Sequence, residues 1–267
     1  MHNQDFSFMM QERPEKPREN GLTMILGEAV FSTGGTNYLE DLLEVTGSWI
    51  DWYKFVWSSF PLQPPSLVDR KIQLLEENNV RSFVGGNFFE EAIANDQVEK
   101  FLDALRNTRC PGLEVSTTVV EIPLERKAEL IERACEYGFH VHGEIGRKAT
   151  ETGADTLSIE EVIEDMRVCL NAGADVVVLE TEEVEGVFAV DETSSETSTE
   201  RLDAIVDEVG AENILFEVPI SADMHEVLSV TGWFIDAVGH EVNLGNVNPN
   251  LISMVEQQRR SIGAHQH

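Results

Sequence analysis

The sequence predicts an α/β protein, a single (β/α)8 TIM barrel closed around a parallel sheet. Three observations lead there. Eight short apolar runs alternate with amphipathic helical stretches, the order that builds a parallel sheet with helical crossovers. One run, Val176-Val177-Val178-Leu179, shows no polar alternation, as a strand buried on both faces should. The chain has 267 residues, and a barrel of about 250 residues fits that length as one domain. An open doubly wound sheet is the alternative. No Gly-x-Gly-x-x-Gly turn follows the first strand, which argues against a dinucleotide-binding version of it.

The elements follow in order. Residues 1–20 are polar, carry Pro14 and Pro17, and read as an extended or mobile arm. The barrel is expected over 21–262, with a tail at 263–267. Leu22–Leu26 is the first strand, and Gly34-Gly35-Thr36 leads into a helix through Tyr38, Leu42, Leu43 and Val45. Ile50–Val56 is the second strand. Ser66 is placed to cap a helix running to about Asn78. Arg81–Gly86 is the third strand, followed by helical pattern from Phe88 to Arg106. Leu113–Ser116 is the fourth strand. Pro123 opens a helix that Gly138 stops. The fifth strand starts at His140. Ser158 and Glu161 form a capping box for the next helix, which ends near Gly173. Asp175–Glu180 is the sixth strand, and the acidic, Ser/Thr-rich stretch 182–200 reads as a long loop. A helix over Thr199–Val209 precedes the seventh strand, Ile214–Val218. A helix over Ala222–Thr231, the eighth strand at Glu241–Leu244 and a last helix over Pro249–Ile262 complete the pattern.

Composition narrows the function classes. Asp and Glu number 49 against 19 Lys and Arg, a net charge of -30. Nucleic acid is excluded as a partner, since phosphate binding needs a basic footprint. The acids cover every expected helix face, and arginine outnumbers lysine, a pattern similar to cytoplasmic proteins of salt-accumulating archaea. At molar salt the screening length is about 3 Å, so such a surface does not repel itself. No apolar run is long enough to span a membrane, and the first twenty residues lack the apolar core of a secretory signal. Cys110, Cys135 and Cys169 have no metal-ligand spacing and read as reduced thiols, which places the protein in the cytoplasm.

The candidate chemistry centres on His140-Val141-His142-Gly143-Glu144-Ile145-Gly146-Arg147-Lys148. Strand alternation puts His140, His142 and Glu144 on one face, with Lys148 a turn later. Alone, this reads first as a solvated charge pair at a strand end, since structural ion pairs are common. The pattern recurs, however. Lys54 ends the second strand, Glu114 and Ser116 lie on the fourth, Glu180 ends the sixth and Glu217 lies on the seventh. Barrel enzymes place their sites at these strand ends. Four glutamates at one height raise one another's pKa, and a divalent cation resolves the conflict. Oxygen ligands on rigid strands suit Mg²⁺, making Glu114, Glu144, Glu180 and Glu217 the metal candidates. Lys54 and Lys148 would compensate charge or act on substrate. His140 and His142 read as hydrogen-bonded core histidines, while a His142–Glu144 pair would hint at Zn²⁺ instead. The Gly85-Gly86-Asn87 turn either presents backbone N–H groups to an anion or is a plain tight turn.

These residues resemble the phosphosulfolactate synthase family, over about Gly21 to Gly263. The matching pieces are Gly21-Leu22-Thr23, Asp51 to Trp57 with Lys54, Gly85-Gly86-Asn87-Phe88-Phe89-Glu90, Glu114-Val115-Ser116 and Leu124-Glu125-Arg126-Lys127. Further along they are Glu144-Ile145-Gly146-Arg147-Lys148, Ala172-Gly173-Ala174-Asp175, Phe216-Glu217-Val218-Pro219 and Val242-Asn243-Leu244-Gly245-Asn246. The resemblance implies a Mg²⁺-dependent lyase of coenzyme M biosynthesis that adds sulfite to phosphoenolpyruvate through a metal-stabilised enolate. Plant heat-stress-associated proteins are similar too. It further implies Lys148 as proton donor, Glu114, Glu144 and Glu180 at the metal, and Lys54 on substrate, with Gly86, Asn87, Ser116 and Arg147 beside it. A homo-oligomer is implied as well. The sequence departs from the family pattern at Gly27-Glu28, at Thr181-Glu182-Glu183 and at Ile220-Ser221, where cationic or amide groups suited to a phosphate are expected. Two other readings therefore stand beside the first. One is a related lyase or aldolase-like enzyme acting on an unphosphorylated carboxylate. The other is a non-catalytic barrel serving as a stress or interaction protein.

Overall fold

The computed structural model describes residues 6–27, 34–146, 157–184, 195–221 and 223–262. The apolar runs form eight strands: β1 (Thr23–Leu26), β2 (Trp52–Phe55), β3 (Arg81–Val84), β4 (Gly112–Val115), β5 (His140–Ile145), β6 (Val176–Leu179), β7 (Ile214–Glu217) and β8 (Asn243–Val247). Each pairs in parallel with the next, and β8 closes onto β1, giving a closed barrel. The expected fold class is therefore the observed one. The helices are α1 (Thr36–Thr46), α2 (Pro65–Glu77), α3 (Gly86–Ala94), α4 (Val98–Arg106), α5 (Leu124–Glu136), α6 (Ile159–Asn171), α7 (Ser195–Val209), α8 (Met224–Val238) and α9 (Ile252–Arg259). The capping box of Ser158 and Glu161 is present at the start of α6.

Strand alternation sorts side chains into two cores. Ile25, Tyr53, Phe55, Val84, Leu113, Val115, Val141 and Ile145 point outward and pack under the helices. Met24, Trp52, Phe83, Val176, Val178 and Leu215 point inward and fill the barrel. This inner layer is a packed plug, so the functional groups can only sit above it, at the strand ends.

Several helices differ from the sequence pattern. Ser66 lies inside α2 and does not cap it, α7 begins at Ser195 within the stretch read as a loop, and α9 is shorter than expected. Two further cases have a clear cause. The helical stretch from Phe88 to Arg106 is broken between α3 and α4, where Asp96 takes φ of 54°. The Asn95 side chain bonds back to Glu91 O at 2.7 Å, and Gln97 N to Ala92 O at 2.8 Å, so this segment ends one helix and redirects the chain. The other, α8, runs seven residues past the expected end at Thr231, to Val238. A glycine inside a helix costs about 1 kcal/mol. Burial of Phe234 and Ile235 just beyond Gly232 outweighs it.

The arm is tied to the N-terminal face of the barrel. Lys16 donates to the carbonyls of Gly47 and Asn78, each at 3.0 Å, and of Ile50 at 2.5 Å. Arg18 Nη1 donates to both Asp51 oxygens, at 2.9 and 3.0 Å, and Nη2 to Ser48 O at 2.6 Å. Among the described residues no helix is long and apolar enough to cross a membrane.

Candidate active site

At the opposite end, strand exits of the barrel place five charged side chains in one buried layer. Lys54 from β2 is its centre. Its Nζ lies 2.9 Å from Glu114 Oε2 of β4 and 3.1 Å from Glu217 Oε1 of β7. Glu114 accepts at its other oxygen from Gly86 N at 2.8 Å. The carboxyl of Glu144 bonds that of Glu114 on one side and that of Glu180 on the other. A chain of contacts thus runs Glu217–Lys54–Glu114–Glu144–Glu180 across the mouth. Above it lies a cavity of about 720 Å³, lined by Lys54, Glu144, Glu180, Glu217, Asn87 and Asn246, with Trp57 and Ile220 at its apolar side.

The electrostatics follow from burial and neighbours. Burial works against the Lys54 ammonium, yet Glu114, Glu217 and Glu144 outweigh it and hold its pKa well above the ordinary value. Burial likewise opposes ionisation of Glu114. Lys54 and hydrogen bonds from Glu144 and Gly86 win, so its carboxyl titrates below the usual range. Glu144 is pushed well up, first by burial and then by the charge of Glu114 and its bond with Glu180. Glu217 is raised to about 7, mainly by burial, with Lys54 pulling the other way. The layer therefore holds a proton on its carboxyls at neutral pH, shared where like charges meet.

The structure brings most of the expected site residues together, though not all in the expected roles. Glu114, Glu144, Glu180 and Glu217 converge as the strand register requires, and Lys54 joins them. The amide of Gly86, expected to face a substrate anion, donates to Glu114 instead. A Cβ at Gly86 would come within 2.1 Å of Ser116 Oγ, so the turn admits only glycine there. Asn87 does line the cavity. Ser116 turns its hydroxyl away from the cavity, onto Glu90. Arg147 and Lys148, and Glu28 of the departing Gly27-Glu28 pair, lie outside the described residues. The Glu182 side chain is likewise outside the described part. Arg18 and Arg81 are at the other face, Arg18 on Asp51 and Arg81 over the Trp52 ring. His142 is not hydrogen-bonded. Its ring is buried 4.6 Å from the Trp52 ring and 4.3 Å from the Phe83 ring, and neither nitrogen has a partner. Burial lowers its pKa to about 4, so it is neutral. His140 does have its bond, from Nδ1 to Asp175 at 3.2 Å.

Sequence reasoning missed several contributors. Glu90 is buried on α3 and gathers the loop after β4. It accepts from Ser116 Oγ, from Thr118 N and Oγ1 at 3.2 and 3.0 Å, and from Val119 N and Val120 N at 2.6 and 2.5 Å. Thr181 Oγ1 donates to Glu217 O at 2.6 Å, which ties the sixth strand exit to the seventh. Trp57, at the cavity edge, holds φ of 47°, a strained conformation for an aromatic residue.

The polar side chains of the cavity wall, Lys54 apart, present oxygen ligands, which is the chemistry Mg²⁺ takes. Asn246 Oδ1 is buried there without a hydrogen-bond partner, and among the described residues the crowded carboxyls have one cation between them. Among the described residues no three His, Cys, Asp or Glu side chains are placed to hold a metal by themselves. Mg²⁺ is commonly held by one or two carboxylates with substrate and water oxygens, so the residues present fit it on those terms.

The chain is similar over most of its length to proteins of one family. The family model of (2R)-phospho-3-sulfolactate synthase (ComA) matches residues 11–264. The phosphosulfolactate synthase of Methanothermobacter thermautotrophicus is 31% identical over 257 residues, covering 96% of this chain and 95% of that protein. The phosphosulfolactate synthase of Methanocaldococcus jannaschii is 27% identical over 244 residues, covering 91% and 92%. Among solved structures, a truncated 3-deoxy-D-arabino-heptulosonate 7-phosphate synthase from Thermotoga maritima is similar with a TM-score of 0.54 and 12% identity, covering 89% of this chain and 84% of that one. At that identity the likeness shows the fold alone.

Proposed function

Because the chain belongs to the phosphosulfolactate synthase family, a family of carbon–sulfur lyases, we propose that it adds sulfite to phosphoenolpyruvate. The single observation that carries this reading is the buried layer of Glu217, Lys54, Glu114, Glu144 and Glu180 beneath an open cavity. In the reaction the sulfur lone pair forms a bond to the methylene carbon. The π pair of the double bond moves toward the carboxylate, and the adjacent carbon then takes a proton. No oxidant or reductant is needed.

The residues divide these tasks. Among the described residues Lys54 carries the positive charge at the cavity, and it orients the carboxylate in exchange for part of its contact with Glu217. Glu144 keeps its proton because burial and Glu114 oppose its ionisation, and this lowers the repulsion an incoming anion meets. Asn87 donates from the rim. Lys148 is proposed as the group that delivers the proton to carbon, on the strength of the family pattern. Mg²⁺ is proposed beside Glu180 and Glu217 with Asn246 Oδ1, where it would supply positive charge against the substrate carboxylate; Glu144 would join them only on losing its proton. A cytoplasmic, salt-adapted homo-oligomer is part of the same proposal.

The test is to incubate the protein with phosphoenolpyruvate, sulfite and Mg²⁺ at molar salt and look for phosphosulfolactate by mass spectrometry. Absence of product overturns the reading. A second reading is favoured by one observation. After β7 the wall is Val218-Pro219-Ile220-Ser221, and Lys54, already paired twice, is the only cation among the described lining residues. An unphosphorylated α,β-unsaturated carboxylate would suit that wall better than a phosphate dianion. Sulfite addition to such a substrate, with none to phosphoenolpyruvate, would select this alternative.

A further inference from the structure

One buried ion pair has no part in the chemistry above. Lys127 on α5 is fully buried, and its Nζ donates at 2.7 Å to Asp165 Oδ1 of α6 and at 2.7 Å to the main-chain oxygen of Glu144. Cys169 Sγ donates to the same Asp165 oxygen at 3.4 Å. Both charges sit on apolar stripes. Lys127 shares its stripe with Leu130, Ile131 and Ala134, and Asp165 shares its own with Val162, Met166 and Cys169. Buried pairs of this kind rarely add stability, because desolvation offsets their attraction and an apolar replacement is often as stable or more so.

The sheet register gives the pair a different purpose. Main-chain groups of β5 alternate between its neighbours. His140 N bonds to Pro111 O on the β4 side, and Val141 O accepts from Asp175 N on the β6 side. Ile145 O follows Val141 and accepts from Glu180 N. The carbonyl of Glu144 therefore faces β4. That strand ends at Val115, paired with Gly143, because Glu90 draws the next residues away. The carbonyl of an active-site residue is thus left without its ladder donor at the point where β4 turns off. The Lys127 ammonium stands in that place.

We propose that Lys127, held by Asp165, is a positioning residue: it substitutes for the missing strand partner and fixes the peptide plane of Glu144, and with it the direction of the Glu144 carboxyl toward Glu114 and Glu180. The inference rests on reading the cavity as the active site. It puts the pair to work through Glu144 alone, with no contact to substrate.

The test is the double variant Lys127→Met/Asp165→Leu, which keeps volume and removes both charges. Its thermal midpoint is expected to equal or exceed that of the parent. Turnover of phosphoenolpyruvate with sulfite is expected to fall about tenfold or more with little change in KM. Amide hydrogen exchange across residues 140–146 is expected to rise about tenfold. Lys127→Arg, which can still reach the carbonyl and Asp165, is expected to recover most of the turnover. A double variant with the parent's kcat and the parent's exchange overturns the proposal. If the parent itself does not turn over phosphoenolpyruvate, the activity reading has failed, and the exchange measurement judges the pair separately: unchanged exchange overturns it. Should the double variant not fold, Asp165→Asn carries the same measurements, and unchanged kcat and exchange there count equally against the pair.

Discussion

The two ends of the barrel hold buried charge in opposite ways. At the floor the cations are held by paired carboxylates and main-chain carbonyls. Arg13 pairs with Glu256 and donates to Gly21 O, and Arg18 donates to both Asp51 oxygens. Arg259 is completely buried and donates to the carbonyls of His240 and Leu22 at 2.8 and 3.2 Å. Burial lowers its pKa to about 9, yet it stays charged at neutral pH. Among the described residues of the mouth the carboxyls are in excess, and Glu144 finds its partners in other carboxyls. Main-chain carbonyls make the floor a set of fixed locks. Shared protons make the mouth adjustable, able to take in a cation or give up a proton. Charge that finishes its hydrogen bonds within the fold holds structure, whereas charge left crowded is available for chemistry.

Lys54→Met is the largest break of this contrast. It leaves Glu114, Glu217 and Glu144 without their shared cation, and breaking a buried pair this way costs about 3–5 kcal/mol. Turnover should fall by about 10²–10³-fold, the loss expected when one preorganised electrostatic group is removed. Thermal denaturation and steady-state kinetics read the two effects, and parent-like turnover would remove Lys54 from the site. Arg18→Met is the matched break at the floor. It leaves Asp51 buried without its Arg18 partner, at a cost of about 3 kcal/mol. Its kcat should stay that of the parent, measured at a temperature where the variant is fully folded. A fall in kcat would mean that the floor and the mouth are coupled.

The same contrast explains what was readable in the sequence. The strands were readable because each apolar run is short and bounded by turns. The glutamate layer followed from strand alternation, since Glu144 and Glu217 must share a height once the barrel closes. Their mutual bonding was not readable, because it depends on rotamers and on the loop that Glu90 gathers. The role of Gly86 was misread for the same reason: a glycine turn shows that something approaches closely, not whether it is a substrate or Glu114. Lys127 and Asp165 did leave a signal, a charge in the middle of each helical stripe, which alternation in the strands overshadowed. The break at Asn95-Asp96-Gln97 is short and has no proline, so the apolar period runs through it. Arg147 and Lys148, which carry much of the family resemblance, fall outside the described residues.

His142→Phe sharpens the comparison from below the active layer. The imidazole is neutral and unpartnered in the inner core, with its pKa lowered from 6.5 to about 4 by burial. A depressed histidine contributes stability that is full above pH 6.5 and lost as pH falls through about 4, because the unfolded chain takes the proton first. The shift corresponds to about 3 kcal/mol at most. Phenylalanine removes the titration, so urea midpoints at pH 7.5 and pH 4.5 should lie closer together in the variant than in the parent. An unchanged difference between the two midpoints would show that His142 has a partner in solution.

Glu217→Gln tests the adjustable end itself. Glu217 is raised from 4.5 to about 7, so the native state keeps a proton that the unfolded chain releases first. Its contribution is fully present below pH 4.5 and is lost as pH rises through about 7, the reverse of His142. The value of about 7 already contains the pull of Lys54, so at neutral pH removing the carboxyl relieves a net penalty of at most about 3 kcal/mol, and the variant should be more stable than the parent at pH 7.5. The slope is the informative quantity. Between pH 4.5 and 7 the Gln variant should gain stability with rising pH relative to the parent, as read from urea midpoints across that range. If the slope is unchanged, Glu217 is ionised throughout. The proton would then belong to Glu144 alone, and the adjustable part of the mouth would shrink to the Glu114–Glu144–Glu180 segment.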